Sequence, residues 1–91
     1  MVTTSAYAAD EHIVEITGFK FVPATITVKA GDTITWLNKD IAPHTATADD
    51  SSFDTGLLKQ NESGSITVTE NQTIAYFCKF HPSMKASLTV K

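Results

Sequence analysis

The sequence predicts an all-β domain, a Greek key β-sandwich of seven to eight strands, and three observations carry that prediction. Apolar residues recur at every second position, as in Ile26 and Val28, Ile34 and Trp36, Ile66 and Val68, and Ile74, Tyr76 and Cys78; this is the period of a strand with one buried face. β-Branched residues dominate the same stretches. Turn-forming residues interrupt them at short, fairly regular intervals, and nothing between them has the three-to-four period of a helix.

In chain order, residues 12–17 form the first strand. "ATITVKAGDTITWLN" then supplies two strands joined by a turn over residues 29–32, where Gly31 provides the flexible position. "NKDIAPH" breaks the pattern with aspartate and proline, and a short strand follows at residues 44–48. "ADDSSFDTGLLKQNE" reads as a loop. "SGSITVTENQTIAYFC" repeats the two-strand pattern around a polar turn at residues 70–72, with Ile74, Tyr76 and Cys78 on one face of the second strand. The last strand is expected at residues 86–90. Such spacing favours antiparallel pairing. Trp36, Phe53 and Tyr76 are expected in the core.

The chain has 91 residues, room for one hydrophobic core and no more. Residues 1–10 read as a tail and residues 11–91 as a single domain. Hydrophobic residues make up 42% and charged residues 19%, too apolar a mixture for intrinsic disorder. A net charge of −3, with no basic run, gives no pull toward nucleic acid. No stretch approaches the length of a membrane span, so a soluble monomer is expected. "SAYAADE" carries the small-x-small pattern of a signal-peptide cleavage region. Read as the scar of an export signal, it places the protein outside the cytoplasm, in a compartment such as the periplasm.

The chemistry concentrates in "YFCKFHPSMKASLTV", which holds the single cysteine, Cys78, together with His81 and Met84. Each has a plain reading alone: Cys78 as a small buried hydrophobe, Met84 as a core gap-filler, His81 as a surface residue. Together they place three soft or borderline metal donors at the end of one strand. Upstream, His44 follows Ala42-Pro43 at the start of another strand and is the obvious fourth donor. Two imidazoles, a thiolate and a thioether match a trigonal copper site with a weak axial methionine. Structural zinc more commonly recruits further cysteines or histidines, and catalytic zinc keeps a water position. His12 has no such context and reads as structural or exposed.

"GDTITWLNKDIAPHTAT" and "YFCKFHPSMKASLTV" resemble the cupredoxins, most closely the amicyanin and plastocyanin branch, and the similarity extends from Phe19 to Lys91. The resemblance implies type 1 copper at one pole of the sandwich, held by His44, Cys78 and His81 equatorially and Met84 axially. It also implies single-electron transfer between redox partner proteins, with a dehydrogenase as donor and a cytochrome as acceptor, docking near His81 on a dry patch that includes Pro43, Phe80 and Pro82. Two positions depart from the family: Thr45 stands where relatives often have asparagine, and Phe80 where that branch has proline. Phe80 therefore brings a backbone N–H that proline lacks, and a tight turn would aim it at the Cys78 sulfur. Lys39, Lys79 and Lys85 are expected to give the copper pole a basic rim, with Asp49, Asp50 and Asp54 farther along a loop.

Two other functions would draw on the same residues. A copper carrier or delivery module uses similar ligands but favours exposed, exchangeable sites, against a cysteine buried at a strand end. An enzyme with Cys78 as nucleophile would need an oxyanion hole and a substrate cleft, and four protein ligands leave no open metal position.

Overall fold

The computed structural model describes residues 9–91, and every regular element in it is a strand. In chain order they are β1 Glu11–Thr17, β2 Lys20–Val22, β3 Thr25–Val28, β4 Thr33–Asn38, β5 Thr47–Ala48, β6 Ser63–Thr67, β7 Gln72–Cys78 and β8 His81–Val90. Two four-stranded sheets result, ordered β2-β1-β4-β6 and β3-β8-β7-β5. Among the described residues no helix is long and apolar enough to cross a membrane. Most of the expected cleavage scar, Ala6 to Ala8, lies outside the described residues. Asp10 lies inside them, and its N–H donates to Asp32 Oδ1 at 3.0 Å.

The alternation builds the core as expected. Val14, Ile16, Ile34 and Trp36 face inward from one sheet, and Ile74, Tyr76, Cys78, Leu88 and Val90 from the other. Trp36 stacks on Phe53 with ring centroids 5.3 Å apart and meets Tyr76 edge-on at 5.4 Å. Each fully buried aliphatic side chain contributes about 1.5–3 kcal/mol relative to exposure, so this double layer dominates the stability of the domain.

Pairing departs from the antiparallel expectation. β1 lies parallel to β4, and β3 parallel to β8, so both sheets are mixed. The turn at Lys29 to Asp32 therefore does not close a hairpin; it passes the chain from β3 in one sheet to β4 in the other. Its closure is local: Asp32 N–H donates to the Lys29 carbonyl at 3.0 Å, Lys29 N–H donates to Asp32 Oδ2 at 3.0 Å, and Gly31 takes φ of +96°. The chain changes sheet again after β4, β5 and β6.

Three elements differ from expectation. The strand expected at residues 44–48 is cut to Thr47–Ala48, and His44 makes only an isolated bridge to Leu58. The three-residue β2 forms a hairpin with β1 through the Gly18-Phe19 turn, both residues having positive φ, as a two-residue type I′ turn requires. The last strand begins at His81 instead of residue 86, because Lys79 and Phe80 alone make the turn and Cys78 pairs directly with His81.

Candidate metal centre

One end of the sandwich brings three of the four predicted donors, His44, Cys78 and His81, together. Cys78 closes β7, fully buried, with a register shift between Phe77 and Cys78 at the hairpin. His81 opens β8 on the other side of the two-residue turn, half-buried. Met84 is buried on β8 along the same inward alternation as Leu88 and Val90. His44 arrives from the long connection between β4 and β5. It is anchored by a pair of backbone hydrogen bonds to Leu58, N–H to carbonyl at 3.1 Å in one direction and 2.8 Å in the other, and it has no exposed surface.

Nδ1 of His44 lies 3.6 Å from Cys78 Sγ, and Nδ1 of His81 lies 3.7 Å from the same sulfur. All three donor atoms fall within 4.8 Å of one another. Metal bonds of about 2.0 Å to nitrogen and 2.3 Å to sulfur, meeting near the trigonal angle, separate their donor atoms by about 3.7 Å. The two nitrogen-to-sulfur spacings thus suit a single ion shared by all three. The imidazoles stand 4.9 Å apart, centroid to centroid, and each turns its Nδ1 toward the sulfur.

The connection carrying His44 is shaped by a buried asparagine. Asn38 donates through Nδ2 to the carbonyls of Ala42 at 2.9 Å and Leu58 at 2.8 Å, and its Oδ1 accepts the Asp40 N–H at 2.9 Å. A buried amide with its donors and acceptor so used makes a fixed loop. That loop sets Asp40 beside His44, where Oδ2 is 3.0 Å from Nε2. The same carboxylate accepts the N–H groups of Gly18 at 2.8 Å and Phe19 at 2.9 Å. Burial of the Asp40 carboxyl raises its pKa, but the amides of Phe19 and Gly18 and the ring of His44 outweigh that and hold it below the usual carboxylate value.

Around the sulfur, the expectation for Phe80 is corrected. Thr45 N–H donates to Cys78 Sγ at 3.4 Å, whereas Phe80 makes no hydrogen bond to it among the described residues. The reason is the hairpin: Lys79 and Phe80 are spent on the turn itself, and Phe80 is 56% exposed. Thr45 also works through its hydroxyl, which accepts the Lys79 N–H at 3.0 Å and bonds Thr47 Oγ1 at 2.9 Å. Thr47 in turn donates to Asp54 Oδ1 at 3.2 Å. Thr45 thus ties the His44 segment to the Cys78 hairpin.

The basic rim also needs correction. Lys79 Nζ pairs with Asp54 Oδ2 at 2.6 Å, which brings Asp54 to this pole and cancels one of the three charges. Lys79 and the Gly56 amide lower the Asp54 pKa accordingly. Lys39 and Lys85 are exposed and have no ion pair among the described residues.

Two site residues escaped the sequence reading. Asp40 sits four residues before His44, a spacing that would have flagged it only if the loop were known to turn back. Phe19, from the β1–β2 hairpin, lays its ring edge-on against both imidazoles, 5.0 Å from His44 and 4.8 Å from His81. His12, by contrast, is held at the far end of the sheet by Asp32, as a structural reading expects.

Comparison with known proteins agrees with this geometry. Residues 8–91 match a family model described as copper binding proteins of the plastocyanin/azurin family. Amicyanin from Paracoccus denitrificans is 30% identical over 84 residues, 87% of this chain and 64% of that protein; the chain thus spans somewhat less than two thirds of that relative. Plastocyanin from Scenedesmus fuscus is 32% identical over 84 residues, covering 78% of this chain and 86% of that protein. The solved structure of a methionine-to-alanine mutant of amicyanin in its Cu(I) form superposes with a TM-score of 0.84 at 32% identity, over 98% of this chain and 90% of that one.

Proposed function

We propose, from the premise that this chain belongs to the plastocyanin/azurin family of copper binding proteins, that it is a small blue copper electron carrier whose ion is held by His44, Cys78, His81 and Met84. The observation that carries this reading is the convergence of a buried cysteine sulfur and two imidazole Nδ1 atoms, each within 3.7 Å of that sulfur. Copper bound there would supply a Cu(II)/Cu(I) couple, in a trigonal site that suits both oxidation states with little rearrangement. The protein's part is to hold the donors still. His44 is locked between Leu58 and Asp40, Cys78 is fixed in the β7–β8 ladder, and Met84 is packed into the core as a weak fourth donor. With four protein donors, no position is left for a substrate, which accords with a carrier and not an enzyme.

Electrons would enter and leave past His81, which reaches the surface where His44 does not. Exposed apolar residues flank the two histidines: Phe19, at 48% exposure, lies against His81, Phe80, at 56%, and Pro82 are its chain neighbours, and Pro43 and Ile41, the latter at 85%, precede His44. Such an apolar surface excludes water from a docked redox partner, a dehydrogenase on the donor side and a cytochrome on the acceptor side. Lys39 and Lys85 steer the encounter. The setting is extracytoplasmic, the periplasm, and the working form a monomer. The alternative of copper delivery is disfavoured by the full burial of both Cys78 and His44.

The test is the visible spectrum of the copper-loaded protein, with Cys78→Ser alongside. An intense copper-thiolate band toward the red in the parent, lost in the variant together with the reversible one-electron wave, is expected. A colourless Cu(II) protein, or colour that survives the substitution, would overturn the assignment. Copper should also raise the melting temperature, since a ligand bound by the native state stabilises it by mass action.

A further inference from the structure

One carboxylate, that of Asp40, makes three contacts that converge on the two imidazoles. It accepts from His44 Nε2 at 3.0 Å, the ring nitrogen facing away from Cys78. It also accepts the two consecutive amides of the Gly18-Phe19 turn, at 2.8 and 2.9 Å. That turn is unusual because Phe19 has φ of +59°, a left-handed conformation that a residue with a side chain rarely adopts. Glycine or asparagine would be the ordinary choice there. A phenylalanine held in it by two charge-assisted hydrogen bonds, its ring edge-on to both His44 and His81, is explained by what the ring covers.

A histidine whose Nε2 donates to a carboxylate has its Nδ1 lone pair free to bind a metal. The partner also makes that lone pair more basic. The carboxylate is side-chain exposed by only 13% and the imidazole not at all, so water does little to weaken the bond.

We propose that Asp40 is a positioning residue of the copper centre: it fixes His44 with Nδ1 as the donor, props Phe19 over both imidazoles, and lowers the reduction potential of the bound ion without touching it. This rests on the copper reading given above. The stronger His44 donor favours Cu(II) over Cu(I), which is satisfied with softer and fewer ligands.

The experiment compares Asp40→Asn and Phe19→Gly with the parent protein. Loss of a hydrogen-bonded partner of a metal-binding histidine costs about tenfold or more in affinity. A tenfold loss borne by Cu(II) alone raises the potential by about 59 mV. Asp40→Asn is therefore expected to raise the potential by roughly that amount with its blue band intact, while Phe19→Gly, which leaves the turn in glycine's favoured conformation, shifts it by much less. An unchanged or lower potential in Asp40→Asn overturns the proposal. So does a Phe19→Gly shift as large as that of Asp40→Asn, because the carboxylate would then act only by holding the ring.

A measurement on the metal-free parent stands apart from copper loading and from the folding of any variant. Nitrogen NMR of His44 should show the neutral ring protonated on Nε2, and a ring protonated on Nδ1 would refute the positioning role. If the copper-loaded parent shows no thiolate band, the carrier reading fails while this NMR result still decides the Asp40–His44 contact.

Discussion

The molecule uses one device twice, at opposite ends of the parallel pair β1 and β4. Ahead of β4, Asp32 accepts His12 Nε2 at 2.9 Å and the amides of Asp10 and Lys29 at 3.0 Å each. Beyond β4, Asp40 accepts His44 Nε2 at 3.0 Å and the amides of Gly18 and Phe19. In each case an aspartate beside one strand grips a histidine and the backbone beside the end of the other. The difference lies behind the imidazole. The His12 side chain is 30% exposed and its neighbours are the carboxylates of Asp10 and Asp32. His44 is sealed, and its second nitrogen faces a thiol. An aspartate-histidine pair is thus a structural clamp in itself; it becomes part of a metal centre only where the free ring nitrogen meets a soft donor in a closed space.

The comparison breaks most visibly at the metal pole. His44→Gly and His81→Gly each remove one nitrogen donor and should each abolish the parent blue band. Free imidazole should restore it in His81→Gly, where the emptied space opens to solvent, and not in His44→Gly, where Phe19 and the Asp40 loop close the site. Titration of both variants with imidazole, followed by absorption, checks this; equal recovery in the two would show that the imidazoles are not held differently.

At the other pole the expected effect is on stability. The amides of Lys29 and Asp10 and the ring of His12 lower the Asp32 pKa from 3.8 to about 2. A carboxyl whose folded value is depressed stabilises the fold above its unfolded value, and that contribution disappears as pH falls through the folded one. Asp32→Asn should therefore be less stable than the parent at pH 7, with the gap narrowing between pH 4 and pH 2. Denaturant melts at pH 7 and pH 2 measure it, and a gap that stays constant would mean that the charge on Asp32 is immaterial.

The smallest effect belongs to His12→Gln, which removes a part-exposed contact between the His12 and Asp32 side chains. Such contacts contribute about 0–1 kcal/mol, so the melt should shift slightly while the absorption spectrum and potential of the copper-loaded protein remain those of the parent. A changed potential would show that the two poles are coupled through β1 and β4.

Much of this was legible in the sequence because the signals are local. Alternation put Ile74, Tyr76 and Cys78 on one buried face, and the structure has all three there. The close spacing of Cys78, His81 and Met84 reflects a hairpin, and proximity along the chain becomes proximity in space. His44 was legible through residue type alone, as a histidine after Pro43 where a strand resumes. Direction of pairing was not, since a strand buries every second residue whether its neighbour runs parallel or antiparallel. β2 offers only Phe21 as a buried position, too little for a pattern. The early start of β8 was hidden by Pro82, which has no N–H to donate. It is tolerated because β3 pairs with β8 only from Ser87 onward, leaving that flank open at Pro82. Asp40 was illegible for a different reason: two of its partners, Gly18 and Phe19, come from a hairpin on the other side of β3 and β4 in the chain.

The parallel pairing has a consequence for how the chain acquires its shape. Thr25 of β3 must find Ser87 of β8, and Glu11 of β1 must find Thr33 of β4, before either sheet is complete. Contacts so distant along the chain cost loop-closure entropy first and reward it late, which places folding of such sandwiches in the millisecond-to-second range. Cys78, His81 and Met84 need none of that, because they are neighbours even in a disordered chain. With the proposed ligand set, a soft ion can be gathered by this trio while the sheets are still unpaired, and His44 joins it only when the two halves of the barrel-like stack dock. Copper captured early would bind the unfolded chain in addition to the native one, and the stabilisation it confers would then be smaller than its native affinity alone implies, though still positive.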